Sequence, residues 1–129
     1  MDHIDKKILA LLKENGRLTN KEIGEVVHMT GQAVGNRILK MQEEGIFKNF
    51  SVHIQYENTQ FIRIFMNTNQ FTKFETAVKQ FEEVEHLYQV SGQACYIIIG
   101  HFTNQRLVTF INSISAWGRY TVDTVIAEK

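Results

Sequence analysis

Residues 18–45, LTNKEIGEVVHMTGQAVGNRILKMQEEG, decide how the rest of the chain is read. Thr19 and Glu22 have the spacing of a capping box, in which N-cap and N3 satisfy each other's backbone N–H groups. Leu18 and Ile23 bracket that box as a hydrophobic staple. Ile23, Val26 and Val27 then face a core from a helix of only about eight residues. After His28-Met29, Thr30 caps a longer helix, with Met29 and Val34 as a second staple. Val34, Ile38 and Met41 recur at i, i+4 and i+7 as one apolar stripe, and Gly45 closes the helix. A short helix, a tight turn and a longer helix with a polar outer face make a helix-turn-helix.

The outer face of the longer helix carries the chemistry. Gln32, Asn36 and Glu43 lie opposite the Val34/Ile38/Met41 stripe, with Arg37 and Lys40 on one flank. Gln and Asn can read adenine edges with two hydrogen bonds, and Arg and Lys reach guanine edges or phosphates. Any amphipathic helix carries solvated polar residues, but the short helix and two staples ahead of this one favour DNA recognition. Gly31 and Gly35 are poor helix formers. They serve either close approach of the backbone to phosphate or simple packing space.

Upstream, Ile4, Ile8, Leu11 and Leu12 form the stripe of a first helix, which Asp2 can cap and Asn15-Gly16 can stop in a left-handed conformation. Downstream the period changes. Phe50, Val52, Ile54 and Tyr56 alternate with polar residues, which predicts a strand. Lys48-Asn49 just ahead of it are either the tip of a wing against the DNA backbone or an ordinary polar turn. Residues 61–68 alternate as a strand, and Thr72 with Glu75 has the spacing of another capping box, before the Phe74/Ala77/Val78/Phe81 stripe. Residues 87–91 form a strand, Gly92-Gln93 a turn, and residues 95–102 a buried strand. Leu107, Phe110, Ile111 and Ile114 mark the last helix, and residues 120–127 the last strand. Strand-helix-strand-strand-helix-strand is the split order of ferredoxin-like folds. Two helices on one face leave the other face of the sheet open, which invites dimerisation.

Composition narrows the class. The chain has 129 residues, 43% hydrophobic and 22% charged, the balance of a globular protein rather than a disordered one. Fourteen Lys and Arg cancel fourteen Asp and Glu. Splitting after Phe50 gives 8 basic against 7 acidic residues, then 6 against 7. Nucleic-acid binding must therefore come from local placement of charge, multiplied by oligomerisation. One cysteine, Cys95, rules out an internal disulfide and fits a reducing, cytoplasmic setting. Met1-Asp2-His3 has no secretory character, and apolar runs of no more than six residues fall far below the ~20 that span a bilayer, so no membrane association is expected. The five histidines show no metal-ligand spacing, and no Gly-rich phosphate loop or nucleophile motif stands out, so no metal, cofactor or catalytic residue is assigned. Cys95, on an apolar strand, reads as an inert core thiol.

With these elements in place, the chain resembles the Lrp/AsnC (feast/famine) family of transcription regulators over nearly its whole length. Carrying the resemblance are Asp2-x-x-Asp5-x-x-Ile8-Leu9-x-x-Leu12, Asn15-Gly16-Arg17-Leu18-Thr19 and Glu22-Ile23-Gly24. Thr30-x-x-x-Val34-x-x-Arg37-Ile38-x-x-Met41-x-x-x-Gly45-Ile46-Phe47 follows, with Thr30 where serine is usual and Met41 where leucine is usual. The resemblance implies an α+β chain: a winged helix-turn-helix over residues 1–49, a linking strand over 50–59, and a βαββαβ sensor and oligomerisation domain over 60–129. It implies that the third helix enters the major groove of double-stranded DNA, with Thr30, Gln32, Asn36, Arg37, Lys40 and Lys48 as candidate contacts. It also implies homodimers able to close into octameric rings, and a small-molecule effector.

The effector half departs from the family pattern. The family's Val-x-Gly-x-x-Asp stretch, whose turn lines an amino-acid pocket, reads Val90-Ser91-Gly92-Gln93-Ala94-Cys95 here. Cys95 replaces the acid that would pair with an α-ammonium group, which argues against an ordinary amino acid as effector. The usual Pro-Gly-Val before the last strand is Trp117-Gly118-Arg119. Gly92, Gln93, Ala94, Cys95 and Thr124 are the candidate effector residues, although Thr124 is equally an ordinary strand threonine. Two other functions stay open on sequence alone. Siroheme decarboxylases share this two-part architecture, but the polar recognition face argues against an enzyme. An architectural DNA-binding protein without a ligand would fit the two departures around the pocket.

Overall fold

Asp2 opens helix α1 (His3–Glu14) by accepting the Asp5 N–H at 2.8 Å, while the Asp5 carboxylate accepts the Asp2 N–H at 3.3 Å. The helix does not stop in a left-handed turn as expected. Asn15 ends it in extended backbone at φ −147°, and its side chain accepts the Arg17 N–H at 3.0 Å. That local side-chain bond turns the chain without needing positive φ. Helix α2 (Asn20–Val27) starts with the expected Thr19/Glu22 capping box and ends at His28, whose φ of 60° makes it the one non-glycine residue in the left-handed region. Helix α3 (Gly31–Glu43) is capped by Thr30. Gly45, at φ 76°, closes it: its N–H donates to the Gln42 carbonyl and the Ile46 N–H to the Met41 carbonyl, the paired bonds of a Schellman stop.

The computed structural model describes residues 1–129, which divide into two units, residues 1–54 and 55–129. In the first, Ile8, Ile23, Val27, Val34, Ile38 and Met41 form the core, ringed by Leu11, Leu12, Leu18 and Met29. Val26, expected to face inward, is 43% exposed instead, because the short α2 buries only the narrow stripe of Ile23 and Val27. Gly24 lets α2 meet the turn: a Cβ there would stand 2.3 Å from the Met29 carbonyl oxygen. Gly31 and Gly35 serve packing in the same way. Their Cβ atoms would lie 3.3 Å from the Lys21 nitrogen and 2.9 Å from the Asn20 amide nitrogen.

The expected wing and linking strand are absent. Residues 47–56 form neither helix nor strand, and Phe50, Val52, Ile54 and Tyr56 are all exposed. A strand needs a neighbour for its N–H and C=O groups, and one copy of the chain offers this ribbon none.

In the second unit β1 (Gln60–Met66), α4 (Phe71–Lys79), β2 (Val84–Gln89), β3 (Tyr96–Gly100), α5 (Asn104–Ile114) and β4 (Gly118–Thr124) follow in the predicted order. The sheet runs β2-β3-β1-β4 with every pairing antiparallel. Ile62, Ile64, Tyr96 and Ile98 are buried with Phe74 and Val78 of α4 and Phe110 and Ile114 of α5. The alternate residues Phe61, Arg63, Phe65, Ile97 and Ile99 belong to the opposite face and remain partly or fully accessible. There Arg63 donates to Asp123 at 2.7 Å and the Arg119 guanidinium lies 4.1 Å above the Phe65 ring.

Local readings shift, with β1 ending two residues before the expected Thr68 and β3 two before the expected Phe102. The Thr72/Glu75 capping box does not form. Helix α4 starts at Phe71 after Gln70, and the Glu75 carboxylate accepts the hydroxyl of the buried Tyr96. Strand β2 begins at Val84, three residues earlier than expected, with a bulge between Val84 and His86. Strand β4 ends at Thr124, with one further bond from the Val125 N–H to the Thr59 carbonyl and Ile126 left in solvent.

Candidate nucleic-acid interface and effector turn

Helix α3 presents Gln32 and Asn36, both exposed and one turn apart, on the side away from buried Val34, Ile38 and Met41. Thr30 holds the start of the helix, its hydroxyl oxygen accepting the Ala33 N–H at 3.1 Å. Lys40 is exposed, 3.9 Å from the Glu44 carboxylate one turn on, too loose a pair to occupy it. Lys48 is exposed beyond the helix, in the segment without strand structure.

Arg37 departs from expectation. Its Nη1 lies 2.9 and 2.7 Å from the two carboxylate oxygens of Asp2 and 3.1 Å from Asp5 Oδ1, so it ties α3 to the first turn of α1. The bond from Arg37, followed by the Asp5 backbone N–H, holds the Asp2 carboxyl below the usual carboxylate range; Asp2 and then Asp5 raise Arg37 in return. The helical periodicity puts residue 37 on the flank correctly, but that flank faces two acids rather than solvent.

The effector residues divide. Gly92 has φ 129°, a conformation that favours glycine, in an exposed turn with Gln93. Ala94 and Cys95 are half-buried behind it, and the Cys95 N–H donates to the Ile64 carbonyl at 2.8 Å. Thr124 is opposite Gln60, four residues along β1 from Ile64 and on the other side of that strand from Tyr96. At about 3.3 Å per residue and 4.8 Å per strand, it stands roughly 16 Å from Tyr96, where β3 leaves the turn. One copy of the chain does not bring Thr124 and the Gly92 turn together.

Residues 1–42 match the AsnC-type helix-turn-helix domain and residues 59–127 match the Lrp/AsnC ligand binding domain. The chain belongs to the Lrp/AsnC family. This Lrp/AsnC chain is 37% identical to the HTH-type transcriptional regulator LrpB of Bacillus subtilis, across 99% of its own length and 90% of the relative's. Among solved structures, Bacillus subtilis LrpC superposes at a TM-score of 0.91 with 20% identity, covering 100% of this chain and 96% of that one. A Neisseria meningitidis transcriptional regulator in complex with L-Met superposes at 0.82 with 23% identity, covering 99% and 91%. The Lrp/AsnC protein is thus a DNA-binding transcriptional regulator whose second unit is of the ligand-binding type. None of its helices is long and apolar enough to cross a membrane.

A cavity of about 260 Å³ in this Lrp/AsnC chain is lined by Tyr56, Glu82, Glu83, Glu85 and His101, none of which the sequence singled out as effector residues. His101 lies flat against Tyr56, ring centroids 3.4 Å apart. Its Nε2 is 2.7 Å from Glu85, and its Nδ1 is 3.0 Å from both the Asn58 carbonyl and the Thr59 hydroxyl. These partners come from residues 56–59 and from β2, so no spacing around His101 announces them. Arg106 covers Glu83, donating at 2.7 Å and holding its carboxyl below the usual range.

Proposed function

We propose that α3 docks in the major groove of double-stranded DNA, where Gln32 and Asn36 read base edges and Lys40 and Lys48 hold phosphates. The observation that carries this is the pair of exposed amides on the face opposite the buried stripe. Thr30 fixes where the helix starts, and Arg37 fixes how it lies against α1. Asn36→Ala is expected to relax base preference by about 1–3 kcal/mol, and Lys40→Ala to weaken binding to all sequences and lower the salt slope by about one unit. Gel shifts on the protein's own promoter against random DNA check both. Equal binding of the wild-type protein to the two would sink the reading.

Residues 1–49 serve DNA binding, residues 50–59 the link, and residues 60–129 effector response and assembly into homodimers and octameric rings. The effector binds at Gly92, Gln93 and Ala94, where glycine permits close backbone approach and the Gln93 amide both donates and accepts. The Neisseria regulator binds L-Met. With Cys95 in place of the family's acid, this chain favours a neutral polar ligand over a zwitterion. Calorimetry with the twenty amino acids is expected to give weak binding or none, and micromolar affinity for any of them would refute it. The setting is the cytoplasm.

A further inference from the structure

Leu39 is the one large apolar side chain on the outer face of α3, and it is 55% exposed. It is next in sequence to buried Ile38 but points away from the core, three residues after Asn36 and four before Glu43. Helical side chains lean toward the N-terminus, over the residue four positions back. For Leu39 that residue is Gly35, which has no side chain to cover it. The isobutyl group is therefore not shielded by its own helix and stays exposed on the outer face, three residues after Asn36.

The major groove offers one apolar group, the C5-methyl of thymine. The adenine paired with that thymine presents the N6 and N7 atoms that an Asn side chain can read in the same groove. Asn36 and Leu39 are separated by about 4.5 Å along the helix axis, close to the 3.4 Å between successive base pairs. An amide and an isobutyl group at that separation match the two edges of one A·T pair or of two neighbouring ones. We propose that Leu39 is a specificity-determining residue that packs against thymine methyl groups, so that with Asn36 it selects A·T pairs. This rests on the docking of α3 proposed above.

Replacing thymine by deoxyuridine removes the methyl and leaves every hydrogen-bonding group in place. The full-length protein is first used to select its preferred duplex from random-sequence DNA, and that duplex is then made with thymine and with deoxyuridine throughout. Fluorescence anisotropy on the two duplexes is expected to show the wild-type protein losing about fourfold in affinity for each methyl it contacts. Leu39→Ala is expected to bind both duplexes within about twofold of each other, because the group that sensed the methyl is gone. Leu39→Gln, which also suits an exposed helix position, is expected to behave as the alanine variant does. Equal wild-type affinity for the two duplexes, or an equal loss in wild type and Leu39→Ala, overturns the proposal. Asn36→Ala separates the levels. If it loses selectivity for the chosen duplex while Leu39 shows no methyl dependence, only the role of Leu39 falls. If it keeps full selectivity, the docking of α3 falls with it.

Discussion

Arg37 ends in three short contacts with Asp2 and Asp5, and this changes how the charge of the recognition helix is counted. Of its two cations, Arg37 is committed within its own unit, which leaves Lys40 as the free positive charge on α3. Arg37→Ala is accordingly expected to weaken DNA binding by loosening α3 from α1 while leaving the slope of log affinity against log salt at the wild-type value. A drop in slope of about one unit would instead mark a lost phosphate contact. The acid limb of stability gives a second readout. A carboxyl held below its ordinary range contributes stability in full above that range and loses it as pH falls through the depressed value. Asp2 is such a group, so Arg37→Ala should flatten the decline in melting temperature on acidification. An unchanged acid limb would count against the ion pair as a coupling between the two helices.

At the scale of elements, the approach of α2 to the following turn rests on Gly24, above which a Cβ would meet the Met29 carbonyl at 2.3 Å. The obstacle is backbone, which cannot swing aside as a side chain would. Gly24→Ala is expected to destabilise the helix-turn-helix unit by about 1–3 kcal/mol, in the range of overpacked cores. Gly31→Ala, at 3.3 Å from the Lys21 nitrogen, should cost less. Thermal melts of the two variants check this, and equal melting temperatures would contradict it. The caps of α1, α2 and α3 were legible in the sequence because capping is decided within four residues, and Asp2, Thr19 and Thr30 behave as read. Thr72 and Glu75 carry the same spacing and fail, since a hydroxyl arriving from β3 takes the Glu75 carboxylate. The alternation of residues 50–56 marks a two-sided ribbon, but periodicity does not say what lies beside it. The candidate sites follow the same divide. Gln32 and Asn36 were legible from direction alone, whereas the partners of Arg37, and the setting of His101 against Tyr56, are set by residues about 35 and 45 positions away in the chain.

For the whole molecule, two of the groups of accessible apolar positions are the ribbon, with Val52 78% and Ile54 60% exposed, and the sheet face carrying Phe61 and Phe65. Soluble monomers rarely leave such surface in water. Light scattering at micromolar concentration is expected to give at least twice the 15.0 kDa of one chain. Val52→Asp with Ile54→Asp should lower that mass, because charges on the ribbon oppose its pairing with another copy. A wild-type mass near that of a single chain would overturn assembly through the ribbon and the open sheet face.

A ribbon whose hydrogen-bonding groups find no neighbour in their own chain also sets a rule about dosage. If it pairs only with another copy, the assembled fraction follows mass action and rises with the number of molecules present. Each cell division would then dilute the regulator toward its unassembled form, and each burst of synthesis would push it back. A promoter under its control would respond to the regulator's copy number more steeply than in direct proportion, even with no change in any effector.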